Sequence, residues 1–103
     1  MFTATMSNTT YPCEMKLSGA LDADRVTSLR AELETLLENE PGSIILDLSQ
    51  VDFLDSSGVG ALAFLYKRLS ADKRQLQLKQ VNGQPLALLK TLHIDKQLNV
   101  EAA

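Results

Sequence analysis

The segment Ser43–Gly60 constrains the fold more than any other part of the chain. Its apolar run to Leu48, β-branched near the start, is typical of a central strand covered on both faces. A connection, Ser49–Leu54, follows, and then a helix is predicted from about Ser57 to about Ala71. Strands that alternate with helices in this way imply βαβ crossovers and a mixed, largely parallel sheet.

Strand patterns occur at four other places. Phe2–Met6 and Cys13–Leu17 form a predicted hairpin, and Gly19 is expected to break the second of these strands. Gln75–Val81 alternates between polar and apolar residues and is predicted as a half-buried strand. Leu98–Val100 is expected to be a last strand or an ordered tail.

Two further helices are predicted from end signals and apolar spacing. The first is capped by Asp22 or Asp24 and ended by Pro41-Gly42. The other follows the Asn82-Gly83 turn and has Pro85 in its first turn. The apolar stripe of the first is Val26, Leu29, Leu33, Leu36 and Leu37. The buried edge predicted for the other is Leu86, Leu89 and Leu92. The order β-β-α-β-α-β-α predicts an α/β fold with a small, mixed, mostly parallel sheet of four to five strands and helices packed on it.

Composition and charge exclude several classes of function. The 103 residues are predicted to form one domain over 1–103. The net charge is −3 and no basic patch exceeds Lys67-Arg68 or Lys73-Arg74, so nucleic acid is not an expected partner. No apolar run approaches the roughly 20 residues that cross a bilayer, and the N-terminus lacks the pattern of a signal peptide. Cys13 is the only cysteine, which excludes an internal disulfide and favours a cytoplasmic location.

Catalytic and metal chemistry have little support in the sequence. The elbow pattern G-x-S-x-G is absent around Ser56 and Ser57, and His93, the only histidine, is predicted at a helix end. No metal-ligand spacing is present, so neither a metal nor a cofactor is expected. Asp52 and Asp55 are expected to be a helix cap and a solvated carboxylate. The glycine pair of the junction lacks the lysine of a P-loop, although the helix start could hold an anion.

The two hydroxyls of Ser56 and Ser57 lie where the second helix begins. Unsatisfied N–H groups and the positive end of the helix dipole could stabilise a phosphate there, while Asp52 and Asp55 would repel it. Such a group changes the surface charge without moving the core, which suits a reversible binding switch. The plain alternative is that a serine only caps the helix.

Two glycines close to the start of a helix are unexpected. Each costs roughly 1 kcal/mol against alanine in a helix interior, so a close approach is expected there. Tight packing on the sheet is one explanation for Gly58, whereas Gly60 lies on the outer face. Gly60 and Phe64 form a candidate docking face, with burial of Phe64 under the hairpin or the third helix as the alternative.

The stretch Ile45–Gly60, with its D-S-S-G-V-G motif opening a helix, resembles the signature of the STAS domain. More narrowly, it resembles the bacterial anti-sigma factor antagonists. The upstream segment Leu17–Asp22 is similar to the G-x-[apolar]-D segment of that family. The resemblance covers about Phe2 to Val100 and implies the STAS fold.

The resemblance also implies a partner switch without catalysis. Ser56 matches the family's phosphoacceptor, Asp55 the acidic residue before it, and Asp22 an acidic residue near the switch. The implied partners are an anti-sigma factor that is also a GHKL-type serine kinase, which binds the unmodified form, and a PP2C-type phosphatase. A monomer is expected, with transcription, surface growth or biofilm formation as the output. The expected partner interface around Ser56 comprises Asp22, Asp55, Ser57, Gly58, Gly60 and Phe64.

A different STAS role stays open: a constitutive subunit of a lipid-transport ABC system. Such a subunit does not need a phosphorylatable serine after Asp55, and this chain has one. A third class, an enzyme or small-ligand binder, would require an anion or nucleotide bound with saturable affinity at the second helix start.

Overall fold

The computed structural model describes residues 2–5 and 13–103. The elements, in chain order, are β1 (Phe2–Thr5), β2 (Cys13–Leu21), α1 (Val26–Asn39), β3 (Ile44–Leu54), α2 (Ser56–Ala71), β4 (Leu76–Val81), α3 (Gly83–Thr91) and β5 (Val100–Ala102). The predicted hairpin turn, together with Met6, lies outside the described residues.

One five-stranded sheet has the order β1-β2-β3-β4-β5. β1 pairs with β2 in antiparallel fashion, and the other three neighbouring pairs are parallel. The mixed, mostly parallel sheet predicted from the alternation of strands and helices is therefore confirmed. Each parallel pair is joined through a helix, as the βαβ connection requires.

β2 and β3 are both longer than their local patterns predict. Gly19 does not break β2, and the expected connection Ser49–Leu54 is strand, because the two strands stay paired as far as Leu21 and Leu54. Register shifts between Lys16 and Ser18 and after Gly19 absorb the irregular sequence. Gly19 has a φ of +80°, a conformation that glycine adopts without the steric cost of a Cβ atom.

One face of the sheet carries the core. Alternate residues of β2, β3 and β4 are buried together with residues of α1 and α2. The prediction that the central strand is covered on both faces is wrong, because Ile45 and Asp47 on its other face are only half-buried. That face is polar, and there Lys79 Nζ lies 2.8 Å from Glu14 Oε2.

α1 buries the predicted stripe, with Val26 only partly covered. Its cap differs from the prediction, because Arg25 is the N-cap residue and no side chain caps the helix. Asp22 acts one turn earlier, where its Oδ1 accepts a hydrogen bond from the Arg25 N–H at 3.2 Å. Asp24 is exposed.

The C-terminal part departs slightly from the predicted bounds. Pro85 and Leu89 of α3 are buried, but Leu92 is 46% exposed, because the helix ends at Thr91. The prediction that Leu92 belongs to the buried edge is therefore wrong. The last strand begins at Val100, two residues later than predicted. Among the described helices, none is long and apolar enough to cross a membrane.

Candidate functional site

The candidate site lies at the carboxyl ends of β2 and β3, where α2 begins. These strands are parallel neighbours, so the loop after β2 and the turn after β3 meet at the same edge of the sheet. This topology brings the segment of Asp22 next to the segment of Asp55 and Ser56, although more than thirty residues separate them. Loops at this edge are a usual place for binding residues in parallel sheets.

Asp55 caps α2. Its Oδ1 accepts hydrogen bonds from the N–H groups of Ser57 at 2.9 Å and of Gly58 at 3.1 Å. The prediction of a cap and a solvated carboxylate is confirmed, because Asp52 is exposed. The plain alternative, in which a serine is the cap, is wrong: Ser56 is the first residue of the helix proper.

Asp55 also ties the two segments of the site together. Its Oδ2 accepts a hydrogen bond from the Ala23 N–H at 3.3 Å, and its own N–H donates to the Leu21 carbonyl at 3.3 Å. Asp22 lies between these two contact points in the chain and is half-buried. The loop that carries Asp22 is thus held against the start of α2 by one residue, through the carboxylate and the backbone N–H of Asp55.

The Ser56 side chain is exposed, and within residues 13–103 its hydroxyl makes no hydrogen bond. Two of the N–H groups that this helix start could offer to an anion, those of Ser57 and Gly58, already donate to the Asp55 carboxylate. A phosphate on Ser56 would therefore stand beside a fixed negative charge, with less help from these donors. Such a phosphate would present its charge outward, because the Ser56 side chain is exposed.

The two glycines have different surroundings. A Cβ atom on Gly58 would lie 2.2 Å from the Leu21 carbonyl oxygen and 2.7 Å from Leu54 Cδ1, whereas one on Gly60 would meet no atom within 4 Å. The predicted tight packing of Gly58 on the sheet is confirmed. Gly58 is buried, so within the expected interface it sets the approach of α2 to β2 and offers no surface of its own. Gly60 lies on open surface.

Phe64 is half-buried and packs partly against the core. Its ring lies under two guanidinium groups, with the Arg30 Cζ 5.0 Å and the Arg68 Cζ 5.6 Å from the ring centroid. Both distances are within the range of a cation–π interaction. In the candidate docking face predicted from Gly60 and Phe64, the Phe64 ring is therefore covered by Arg30 and Arg68. Ser57 and Gly60 line a surface depression that is also lined by Arg30.

Gln84 is a positioning residue that the sequence does not reveal. Its Oε1 accepts from the Leu54 N–H and its Nε2 donates to the Leu54 carbonyl, both at 2.8 Å. The β3–β4 ladder ends far earlier, at Asp47 and Lys79. The amide of Gln84 therefore replaces a strand partner at the residue just before the cap, and it links α3 to the site.

The described part of the chain offers little for metal or thiol chemistry. It contains no group of three or more His, Cys, Asp or Glu side chains that could hold a metal ion. Cys13 is buried, and its burial, together with the nearby Glu40 carboxylate, raises the pKa of the thiol. A thiol in this state is a poor nucleophile.

The family model described as "Mlab, STAS domain" matches residues 5–100 of this chain. The chain belongs to the STAS domain family. The identification made from the D-S-S-G-V-G motif is thus confirmed.

Solved structures share this STAS fold. The unphosphorylated form of the anti-sigma factor antagonist SpoIIAA has a TM-score of 0.70 and 24% identity over 91% of this chain and 83% of its own. The phosphorylated form of the Bacillus cell fate determinant SpoIIAA has a TM-score of 0.74 and 22% identity over 100% and 92%. A sulfate transporter family protein from Wolinella succinogenes has a TM-score of 0.71 and 20% identity over 85% and 74%. The predicted STAS fold is confirmed by these similarities.

Proposed function

We propose that this STAS domain is a partner-switching phosphoprotein, an anti-sigma factor antagonist controlled at Ser56. The unmodified form binds a GHKL-type anti-sigma factor that is also its serine kinase, and phosphorylation of Ser56 releases it. A PP2C-type phosphatase restores the binding form. The observation that carries the proposal is the exposed Ser56 hydroxyl, which is free of any capping duty because Asp55 performs it.

Electrostatics supports this switch. A phosphoserine adds about −1.5 to −2 charges at neutral pH, next to Asp55 and on a chain whose net charge is −3. A change of about 1–3 kcal/mol in partner affinity corresponds to roughly 5–150-fold, which is enough to redirect a competition between partners. The buried core lies beneath α2, so the added charge alters the surface and leaves the packing intact.

The similarity to SpoIIAA adds support, because that anti-sigma factor antagonist has structures in unphosphorylated and phosphorylated forms. We also propose that the protein is a monomer, acts in the cytoplasm and performs no catalysis. Its output is transcription, surface growth or biofilm formation.

Phosphorylation at one serine is the first test. The purified chain is incubated with host lysate and ATP, and the modified residue is mapped by mass spectrometry. We expect the mass of one phosphate group on Ser56. The matched control Ser57→Ala should still gain this mass, and Ser56→Ala should not. Phosphate on another residue, or none at all, would contradict the proposal.

Partner binding is the second test. Ser56→Ala should stay bound to the kinase that the lysate experiment identifies, whereas Ser56→Asp and Ser56→Glu should bind it poorly, because they place a permanent charge at the switch. Equal binding by the alanine and acidic variants would count against a phosphorylation switch.

A constitutive subunit of a membrane-transport system, of the lipid-transport ABC type, is the second candidate. Two observations favour it: the family model is the Mlab one, and the fold also occurs in a sulfate transporter family protein. A subunit of this kind would copurify with a membrane-bound transporter, and Ser56→Glu would not disrupt that association. Release of the chain on phosphorylation would exclude this candidate.

A further inference from the structure

Two arginines from different helices share one aromatic ring, that of Phe64, which follows Ser56 by eight residues on α2. Arg30 extends from α1 and Arg68 from α2, and both are exposed while stacking on Phe64. A guanidinium that stacks on a ring keeps its N–H donors available at its edge. The ring thus holds two positive charges in place without consuming their hydrogen-bonding capacity.

These charges are not neutralised within the described part of the chain. The ion pairs found there join Arg74 to Asp72 and Lys79 to Glu14, and neither Arg30 nor Arg68 has a carboxylate partner. The chain as a whole carries a net charge of −3. The arginine pair is therefore a local positive site on an acidic protein.

A surface depression runs between Arg30 and Ser57, the residue that follows Ser56. Its volume is about 420 Å³, and its lining comprises Val26, Thr27, Arg30, Ser57 and Gly60. Gly60 keeps it open, because a side chain at that position would project into empty space. Arg30 thus stands in the wall of a partly apolar groove whose other wall carries the residue next to Ser56.

We propose that this groove and the arginine pair dock an acidic segment of the partner kinase, with its carboxylates on Arg30 and Arg68. The inference rests on the proposed function and names the chemistry of its partner. It also explains the direction of the switch. A phosphate on Ser56 would repel an acidic segment in this groove, so the same charge that marks the protein also expels its partner.

Charge reversal tests the inference. The double variant Arg30→Glu/Arg68→Glu is compared with Arg30→Gln/Arg68→Gln, with Arg30→Lys/Arg68→Lys and with Lys96→Glu, an exposed control that does not line the groove. The measured quantity is the initial rate of Ser56 phosphorylation by host lysate and ATP, at low and at high salt. Thermal unfolding of each variant is recorded as well, to show that the variant is folded.

We expect the Glu pair to slow phosphorylation by about tenfold or more at low salt, since reversed charges repel an acidic partner. The Gln pair should show a smaller loss, while the Lys pair and the Lys96 control should stay within about twofold of the wild type. High salt should reduce the differences in phosphorylation rate between the variants, because it screens exposed charges. The Gln and Lys pairs keep the test decisive if the Glu pair unfolds.

The outcomes separate this inference from the proposed function. A wild type that is phosphorylated on Ser56, together with Glu and Gln pairs that react at its rate, overturns the docking inference and leaves the switch standing. A wild type that is not phosphorylated overturns both. Binding of the wild type to phosphatidylglycerol vesicles, lost in the Gln pair with no change in phosphorylation rate, would assign the arginines to a membrane surface and overturn the inference too.

Discussion

Replacing Gly58 by alanine tests the close approach on which the site is built. The added Cβ atom would lie 2.2 Å from the Leu21 carbonyl oxygen, 2.7 Å from Leu54 Cδ1 and 3.0 Å from Leu21 Cβ. The nearest atom belongs to the backbone of β2, so it cannot rotate away as a flexible side chain would. Either α2 or the end of β2 has to move.

The expected magnitude follows from three contributions. Overpacking of a well-filled interior costs about 1–3 kcal/mol, and alanine returns about 1 kcal/mol in helix propensity. The Leu21 carbonyl accepts the hydrogen bond of the Asp55 N–H, so a shift that breaks this bond adds about 1 kcal/mol. The net loss in the free energy of unfolding is about 1–3 kcal/mol.

Gly60→Ala is the matched control, two residues away in the same helix. Its Cβ atom would meet nothing within 4 Å, so only the propensity gain applies. We expect this variant to be more stable than the wild type by about 0.5–1 kcal/mol. For a domain of this size, about 1 kcal/mol shifts the melting temperature by roughly 4–8 °C.

Thermal and urea unfolding, followed by circular dichroism, measure both variants. Gly58→Ala should melt well below the wild type and Gly60→Ala slightly above it. A Gly58→Ala protein as stable as Gly60→Ala would refute the reasoning, because it would show that α2 and β2 are not in the contact described.

Two further predictions concern the clamp at the end of β3 and the open face of the sheet. Gln84→Ala should accelerate hydrogen exchange of the Leu54 amide by roughly fivefold, the factor that corresponds to a hydrogen bond of about 1 kcal/mol. Gln84→Glu is the control, because it retains the oxygen that accepts this bond and should exchange more slowly than Gln84→Ala. Equal exchange rates in the two variants would contradict the clamp. Burial alone would raise the pKa of Asp47, but the hydrogen bond from the Ser49 N–H at 2.8 Å and two nearby lysines outweigh it and lower that pKa. The ionised carboxylate therefore stabilises the fold above the unfolded-state pKa, and this contribution is lost as the pH falls through the lower folded-state pKa. Urea unfolding below about pH 4 should show a steeper loss of stability for the wild type than for Asp47→Asn, and parallel curves would contradict this.

Several parts of the fold were predictable because their causes are local. The stripe of α1 follows from apolar residues at helical spacing, and the order of strands and helices follows from alternating patterns. The turn before α2 is likewise local, since Asp55 bonds to backbone groups only two and three residues away. Even the packing of Gly58 left a signal, because a glycine in a helix implies that something lies close.

Other parts were misjudged, and the largest of these errors has a cause that is distant in the chain. Ser49–Leu54 has an irregular pattern, yet it is strand because β2 pairs with it across a bulge. The cap of α1 was assigned to a nearby aspartate, whereas Asp22 is used in the preceding turn. Leu92 was placed in the core by spacing, but α3 ends before it.

The amino-acid sequence by itself determined the element order and the family motif, and it marked Ser56 as the residue of interest. The element order and the motif both depend on neighbours within a few positions, which the order of residues records directly. The tertiary structure alone decided that Gln84 holds the end of β3 and that Arg30 and Arg68 share the ring of Phe64. Gln84 and Arg30 each contact a residue thirty or more positions away in another element, so these contacts exist only once the parallel sheet has brought the helices together. The contact of Arg68 with Phe64 is local, since the two residues lie four positions apart in α2.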